Sequence, residues 1–192
     1  MMDTDGIRRC VDEQRAGLAD LLEGLTAEQW MAPSLCDGWL VRDVAAHLTH
    51  SRMPPGRMVV EAVKSGFRFD PMIRRLGRDD PRSQPEIVVA LRAMVGSRTR
   101  VPGTSIQQPL IELLVHGQDI AVPLGLDWPM PAAAAVEAAN RLAGMTFPIN
   151  ARRRMQGIRL VATDADFAAG QGRQVDAPIS DIVMVLAGRA DA

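Results

Sequence analysis

Three histidines, His47, His50 and His116, are the only imidazoles in a chain of 192 residues, and that scarcity makes their positions informative. Glu112 and His116 stand four residues apart. In a helix that spacing advances about 400°, so both side chains leave nearly the same face one turn apart and can chelate one ion. His47 falls in line with Leu40 and Val44, at the edge of an apolar stripe, and is expected to point into a helical assembly rather than into water. His47, Glu112 and His116 together form a two-nitrogen, one-oxygen donor set. Such a set leaves an open position for water or a substrate atom on Zn²⁺ or another divalent cation. His50 is a reserve ligand. The plainer alternative, a hydrogen-bonded i, i+4 pair on a solvated face, is what the spacing of Glu112 and His116 gives by default. Asp43 and Asp119, at first sight solvated or capping groups, are also candidates to orient the imidazoles, because a metal-bound histidine usually donates its second N–H to a carboxylate or carbonyl.

The elements that must position these groups read as mostly helical. Asp5 is placed to cap a first helix whose apolar positions Ile7, Val11, Leu18, Leu21 and Leu22 keep the helical period up to Gly24. A loop from Thr26 to Gly38, carrying Trp30, Cys36 and, just beyond it, Trp39, leads into a second helix through Val41, Val44 and Leu48, stopped by Pro54 and Pro55. Residues 56–82 are basic and weakly periodic, consistent with one or two short surface helices. Pro85 opens a third helix through Leu91 and Val95. A fourth runs from Ser105 or Gln108 to Ile120, and an alanine-rich fifth from Pro131 to Met145. Beyond Arg152-Arg153-Arg154 the period changes. Ile158, Leu160 and Ala162 alternate with polar residues as a strand does, a second strand is expected around Phe167 or Val175, and Ile179, Ile182, Val183 and Leu186 return to helical spacing before Gly188. The expected fold is mainly α: a four-helix bundle over residues 1–150 with a small C-terminal α/β element over 151–192.

The charge balance, 22 basic against 23 acidic residues, supplies no field that would recruit nucleic acid or an anionic membrane. No run of about 20 apolar residues is present, and the acidic start Met1-Met2-Asp3-Thr4-Asp5 does not read as a signal peptide, so the expected location is cytoplasmic. Cys10 and Cys36 make neither a disulfide framework nor a Cys-x-x-Cys knuckle, and both read as buried thiols. Only Lys64 is lysine among the basic residues; the arginine excess suits bidentate recognition of carboxylates, although it also follows from a GC-rich genome.

The stretch from Trp30 to Leu48, including Cys36-Asp37-Gly38-Trp39 and Asp43-Val44-Ala45-Ala46-His47, resembles the N-terminal signature of the mycothiol-dependent maleylpyruvate isomerase family, part of the DinB-like superfamily of metal-binding four-helix bundles. Glu112-Leu113-Leu114-Val115-His116-Gly117-Gln118-Asp119 is similar to the second signature, and Gly157 to Arg189 is similar to the family's tail. The resemblance implies that His47, Glu112 and His116 ligate a divalent metal and that mycothiol is the cofactor. It implies an enzyme of the isomerase or S-transferase type, in which a metal-bound thiol becomes the nucleophile that adds to a small electrophilic substrate. It also puts forward Arg189, at the end of the tail motif, as the residue that recognises a substrate carboxylate, with Arg82 and Arg52 as lesser candidates. The C-terminal part is shorter than in the namesake isomerase, which leaves the identity of the electrophile open. Competing readings of the same residues are a metal-dependent hydrolase and a non-catalytic metal-binding helical module.

Overall fold

A computed structural model of the chain describes residues 2–53, 55–66, 68–99, 103–146 and 149–191. In chain order the elements are α1 (Thr4–Glu23), α2 (Ala27–Trp30), α3 (Val41–Leu48), a 3₁₀ turn (His50–Arg52), α4 (Pro55–Lys64), α5 (Phe69–Arg78) and α6 (Gln84–Arg92). They continue with α7 (Gln108–Ala121), a second 3₁₀ turn (Val122–Leu124), α8 (Ala132–Ala143), α9 (Ala151–Arg154), β1 (Ile158–Ala162), β2 (Ala168–Gly170), β3 (Arg173–Ala177) and α10 (Ile179–Ala187). The fold is therefore mainly α with a small C-terminal α/β element, as the periodicities imply. No helix among the described residues is long and apolar enough to cross a membrane.

The chain divides into two compact units, one made of Met1–Cys10, Ile106–Val115 and Pro129–Ala192, the other of Val11–Ser105 and His116–Trp128. In the first unit α8, α9 and α10 pack together, and β1 lies against α10. Its sheet has the order β2-β1-β3, with β2 antiparallel and β3 parallel to β1. Both positions expected to mark a second strand are accounted for: β2 directly follows Phe167, and β3 contains Val175. Leu160 turns inward with Phe167, while Ile179, Ile182 and Leu186 form the buried stripe of α10. Alanines at 134, 135, 138 and 139 are fully buried, which suits the close packing of α8.

In the second unit α3 packs on α5 and α6, with Val41, Val44, Leu48, Ile87 and Leu91 buried. Four local expectations are corrected. Asp3 rather than Asp5 caps α1, its Oδ1 accepting the Gly6 N–H at 2.7 Å, while Asp5 sits in the first turn, where a negative charge suits the helix dipole. The Thr26–Gly38 loop contains the one-turn helix α2, closed by a capping box between Thr26 and Gln29, a signature present in the sequence at Thr26. Pro55 starts α4 instead of ending α3, in keeping with its pre-set φ at a first helical position; Pro54 lies outside the described residues. Finally, α5 is not a surface appendage, since Met72 and Leu76 are buried. Gly77 also brings its backbone against α3 so closely that a Cβ there would stand 3.1 Å from the Asp43 carbonyl oxygen and from the Trp39 ring.

Trp128 is seated in the same unit against two glycines. A Cβ on Gly117 would overlap its indole Nε1 and stand 2.7 Å from Cδ1, and one on Gly17 would stand 3.1 Å from Cη2. Gly117 directly follows His116, so the indole is a wall of the α7 segment that carries the imidazole. Gly117→Ala is accordingly expected to destabilise the protein by about 1–3 kcal/mol through overpacking, read as a lower urea midpoint with unchanged far-UV circular dichroism at zero denaturant.

Candidate functional site

The second unit brings His47 of α3 and His116 of α7 together. Their ring centroids lie 5.0 Å apart with planes at 85°, and both rings are partly exposed. Trp39 flanks His47 at 5.3 Å, and His50 stands edge-on to it at 6.0 Å. The loop before α3 is tied to α7 by the Leu35 N–H, which donates to the Asp119 carbonyl at 3.0 Å, and is tied to itself by Ser34 N–H to the Trp39 carbonyl at 2.9 Å. Two further latches come from α5, where Arg74 donates to the Asp37 carbonyl at 2.6 Å and Arg78 to that of Gly38 at 3.0 Å. The basic middle segment thus holds the loop that carries Cys36.

Asp119, one turn after His116, is fully buried. A buried carboxylate requires donors. It receives the His116 Nδ1–H at 2.8 Å and the Cys36 thiol at 3.0 Å. Because a carboxylate only accepts, His116 carries its proton on Nδ1, and the lone pair of the neutral ring is on Nε2, the atom that can bind a cation. This is the carboxylate-imidazole arrangement that a histidine ligand requires, so the residues present fit a divalent metal. Asp43, the other carboxylate considered for this task, is used differently: its Oδ2 accepts the Leu40 N–H at 3.1 Å and caps α3.

Cys36, His116 and Asp119 form a second possible donor set, their Sγ, Nδ1 and carboxylate oxygen all within 4.8 Å of one another. Cys36 stands 3.8 Å from His116 Nδ1. The sequence reads Cys36 as a buried thiol, whereas Cys36, like Cys10, is only half-buried; what brings it to the site is the backbone tie between Leu35 and Asp119, to which no local pattern points. Of the other expected groups, Glu112 lies one turn before His116 on α7, in the first unit, and receives the Gln108 Nε2–H at 3.1 Å. Arg189, also in the first unit, follows Gly188, whose left-handed φ of 79° ends α10, and the Arg189 N–H donates to the Met184 carbonyl at 2.8 Å. Its guanidinium donates weakly to the Ala187 carbonyl at 3.4 Å. The Arg52 side chain lies outside the described residues.

His50 is committed elsewhere. Its Nε2 meets Asp80 Oδ2 at 3.0 Å, and both residues are buried. Burial pushes the His50 imidazole below its ordinary value despite the pull of Asp80. Burial pushes the Asp80 carboxyl up, but hydrogen bonds from Arg82 and His50 outweigh it and hold the group well below the usual carboxylate range. His50 is thus a neutral donor to Asp80 through Nε2 near pH 7, which leaves its lone pair on the buried Nδ1.

With this geometry in place the chain can be set beside known proteins. Residues 11–53 match the family model described as the mycothiol maleylpyruvate isomerase N-terminal domain, a span that includes Cys36 and His47. The solved structure of the mycothiol-dependent maleylpyruvate isomerase superposes with a TM-score of 0.56 at 13% identity, covering 98% of this chain and 90% of that one. A histidine-to-alanine mutant of that isomerase gives 0.57 at 12% identity with the same coverage. The chain has the fold of the mycothiol-dependent maleylpyruvate isomerase. No curated protein matches it significantly in sequence. The N-terminal match and the shared fold both support the family resemblance carried by the Trp30–Leu48 signature.

Proposed function

We propose that the protein is a metal-dependent enzyme of the maleylpyruvate isomerase type, which uses mycothiol or a similar low-molecular-weight thiol on an electrophilic small molecule. The observation that carries this reading is the pairing of His47 and His116, with Asp119 holding His116 in the tautomer that leaves Nε2 available. His47 and His116 would hold the cation, with Glu112, one turn before His116, as the oxygen ligand; Zn²⁺ suits such a set. A divalent cation held there would supply Lewis acidity and favour the thiolate form of a bound thiol, the form that would add to a conjugated double bond in either an isomerase or a transferase. The chain's own contribution is positional: Asp119 fixes one imidazole, Trp39 walls the other, and the nucleophilic sulfur comes from the thiol rather than from Cys10 or Cys36.

The test is metal analysis of the purified protein, followed by assays of electrophiles with and without mycothiol. Activity that requires the thiol and disappears on chelation supports the reading. Full activity without thiol transfers the proposal to a metal-dependent hydrolase, and a bound metal with no open coordination position favours a non-catalytic metal-binding module. Arg189 is proposed to recognise a substrate carboxylate. Arg189→Lys, which keeps the charge and loses the planar fork, is expected to lower kcat/KM by about tenfold or more with metal content unchanged. An unaltered kcat/KM in Arg189→Ala would reduce this arginine to a compensator of the α10 C-terminus.

A further inference from the structure

A separate pocket of about 340 Å³ opens in the second unit at the end of α3, lined by His50, Met53, Arg57, Asp80, Arg82 and Ala90 among others. We propose that this pocket is a subsite for the carboxylate of a small organic acid. Its size is at the lower end of the range for small-molecule sites. Its charge is the second observation. Arg57 and Arg82 contribute two positive charges against the single negative charge of Asp80. No carboxylate among the described residues comes within 4.0 Å of the Arg57 guanidinium, which acts on Glu61 only at longer range. A monoanionic group neutralises the remaining charge, whereas a phosphate dianion would leave a net negative charge beside Asp80.

The site is built rather than incidental. The Asp80 carboxylate is saturated by His50 Nε2 at 3.0 Å, by Arg82 Nε at 2.9 Å and Nη2 at 2.6 Å, and by the Arg82 backbone N–H at 3.0 Å. Arg82 Nη2 also donates to Thr49 Oγ1 at 2.6 Å. The guanidinium is therefore held flat by two partners, and Nη1 is left as its unused donor among the described residues. Arg42 Nη2 fixes the turn beneath by donating to the Asp80 and Arg82 carbonyls. An arginine immobilised in this way has already lost its rotamer freedom before a ligand arrives, which favours recognition of a planar carboxylate. Met53, Pro81 and Ala90 offer apolar walls for the carbon chain.

His50 links the pocket to the histidine pair, since its ring stands 6.0 Å from that of His47. An acid anchored by Arg57 and Arg82 would direct its carbon chain toward His47; this part of the inference rests on the proposed thiol-dependent function, while the anion site does not. The experiment is a titration of the full chain with crotonate, crotonamide and inorganic phosphate in thiol-free buffer, followed through the imidazole resonances, which three histidines make readily assignable. Crotonate is expected to bind with a saturable shift of the His50 signals. Crotonamide should give none at equal concentration, phosphate should bind more weakly, and Arg57→Gln should weaken crotonate about tenfold without altering the fold. Equal binding of crotonamide, tighter binding of phosphate, or an unchanged affinity in Arg57→Gln overturns the subsite. Crotonate binding should also survive chelation of metal; its loss would assign the carboxylate to the metal and likewise overturn the proposal. Retained crotonate binding in a protein with no thiol-dependent activity would count against the enzymatic reading alone and uphold the subsite.

Discussion

His47→Ala and His116→Ala are each expected to reduce bound metal from near stoichiometric to background, with at least about a hundredfold loss of metal affinity and a parallel loss of thiol-dependent activity, because each removes one of the two nitrogen ligands. The two variants should differ in stability. His116→Ala also deprives the fully buried Asp119 carboxylate of the Nδ1–H at 2.8 Å, leaving the Cys36 thiol among its donors, and should cost about 1–3 kcal/mol. His47 is only partly buried and flanks Trp39, so His47→Ala should cost less and provides the cleaner test of ligation. Both should stay folded, because the core of the second unit is carried by Val41, Val44, Leu48, Ile87, Leu91 and Ile120 rather than by the histidines. Metal analysis and urea titration of the three proteins measure both effects. Unchanged metal content in His47→Ala would sink the shared site.

Asp119→Asn should weaken metal binding about 10- to 100-fold although both histidines remain, since the amide still accepts from Nδ1 but no longer brings a negative charge beside the ring. This variant is informative beside Cys36→Ser. A serine hydroxyl can donate to Asp119 as the thiol does, so if Cys36 serves only as a donor, metal affinity should stay within about threefold of the parent. If Cys36, His116 and Asp119 themselves hold the ion, loss of the sulfur should be as damaging as loss of an imidazole, and the assignment of the site moves to that set. Competition against a chromophoric chelator at fixed pH gives the affinities for both variants. The same measurement repeated on Glu112→Gln examines the oxygen ligand.

The helical elements and the C-terminal strand were legible in the sequence because they rest on local period. The stripes of α3, α6, α7 and α10 follow from which positions are apolar, and alternation from Ile158 to Ala162 marks β1 against its helical surroundings. The Trp30–Leu48 signature likewise pointed to a family whose fold the chain shares. The capping box at Thr26 was also present locally, yet the competing pull of a loop rich in Pro33, Ser34, Asp37 and Gly38 concealed the single turn that it closes.

What lay beyond local pattern was every relation that depends on two distant segments meeting. Nothing near Cys36 shows that the Leu35 N–H finds the Asp119 carbonyl, yet that bond carries the thiol to the carboxylate. Asp43 and Asp119 looked alike as partners for an imidazole; burial beside His116 selected Asp119, while a free backbone N–H at the start of α3 claimed Asp43. The weak period of residues 56–82 suggested a surface segment, and only the close approach of Gly77 to Trp39 and Asp43 turned α5 inward, placing Arg74 and Arg78 on the loop. Residue types and helical spacing by themselves determined that this chain carries imidazole and carboxylate groups on helices. Tertiary packing decided which nitrogen is available and which acid holds it, because hydrogen-bond partners and burial are properties of the assembled neighbours and not of the residues one at a time.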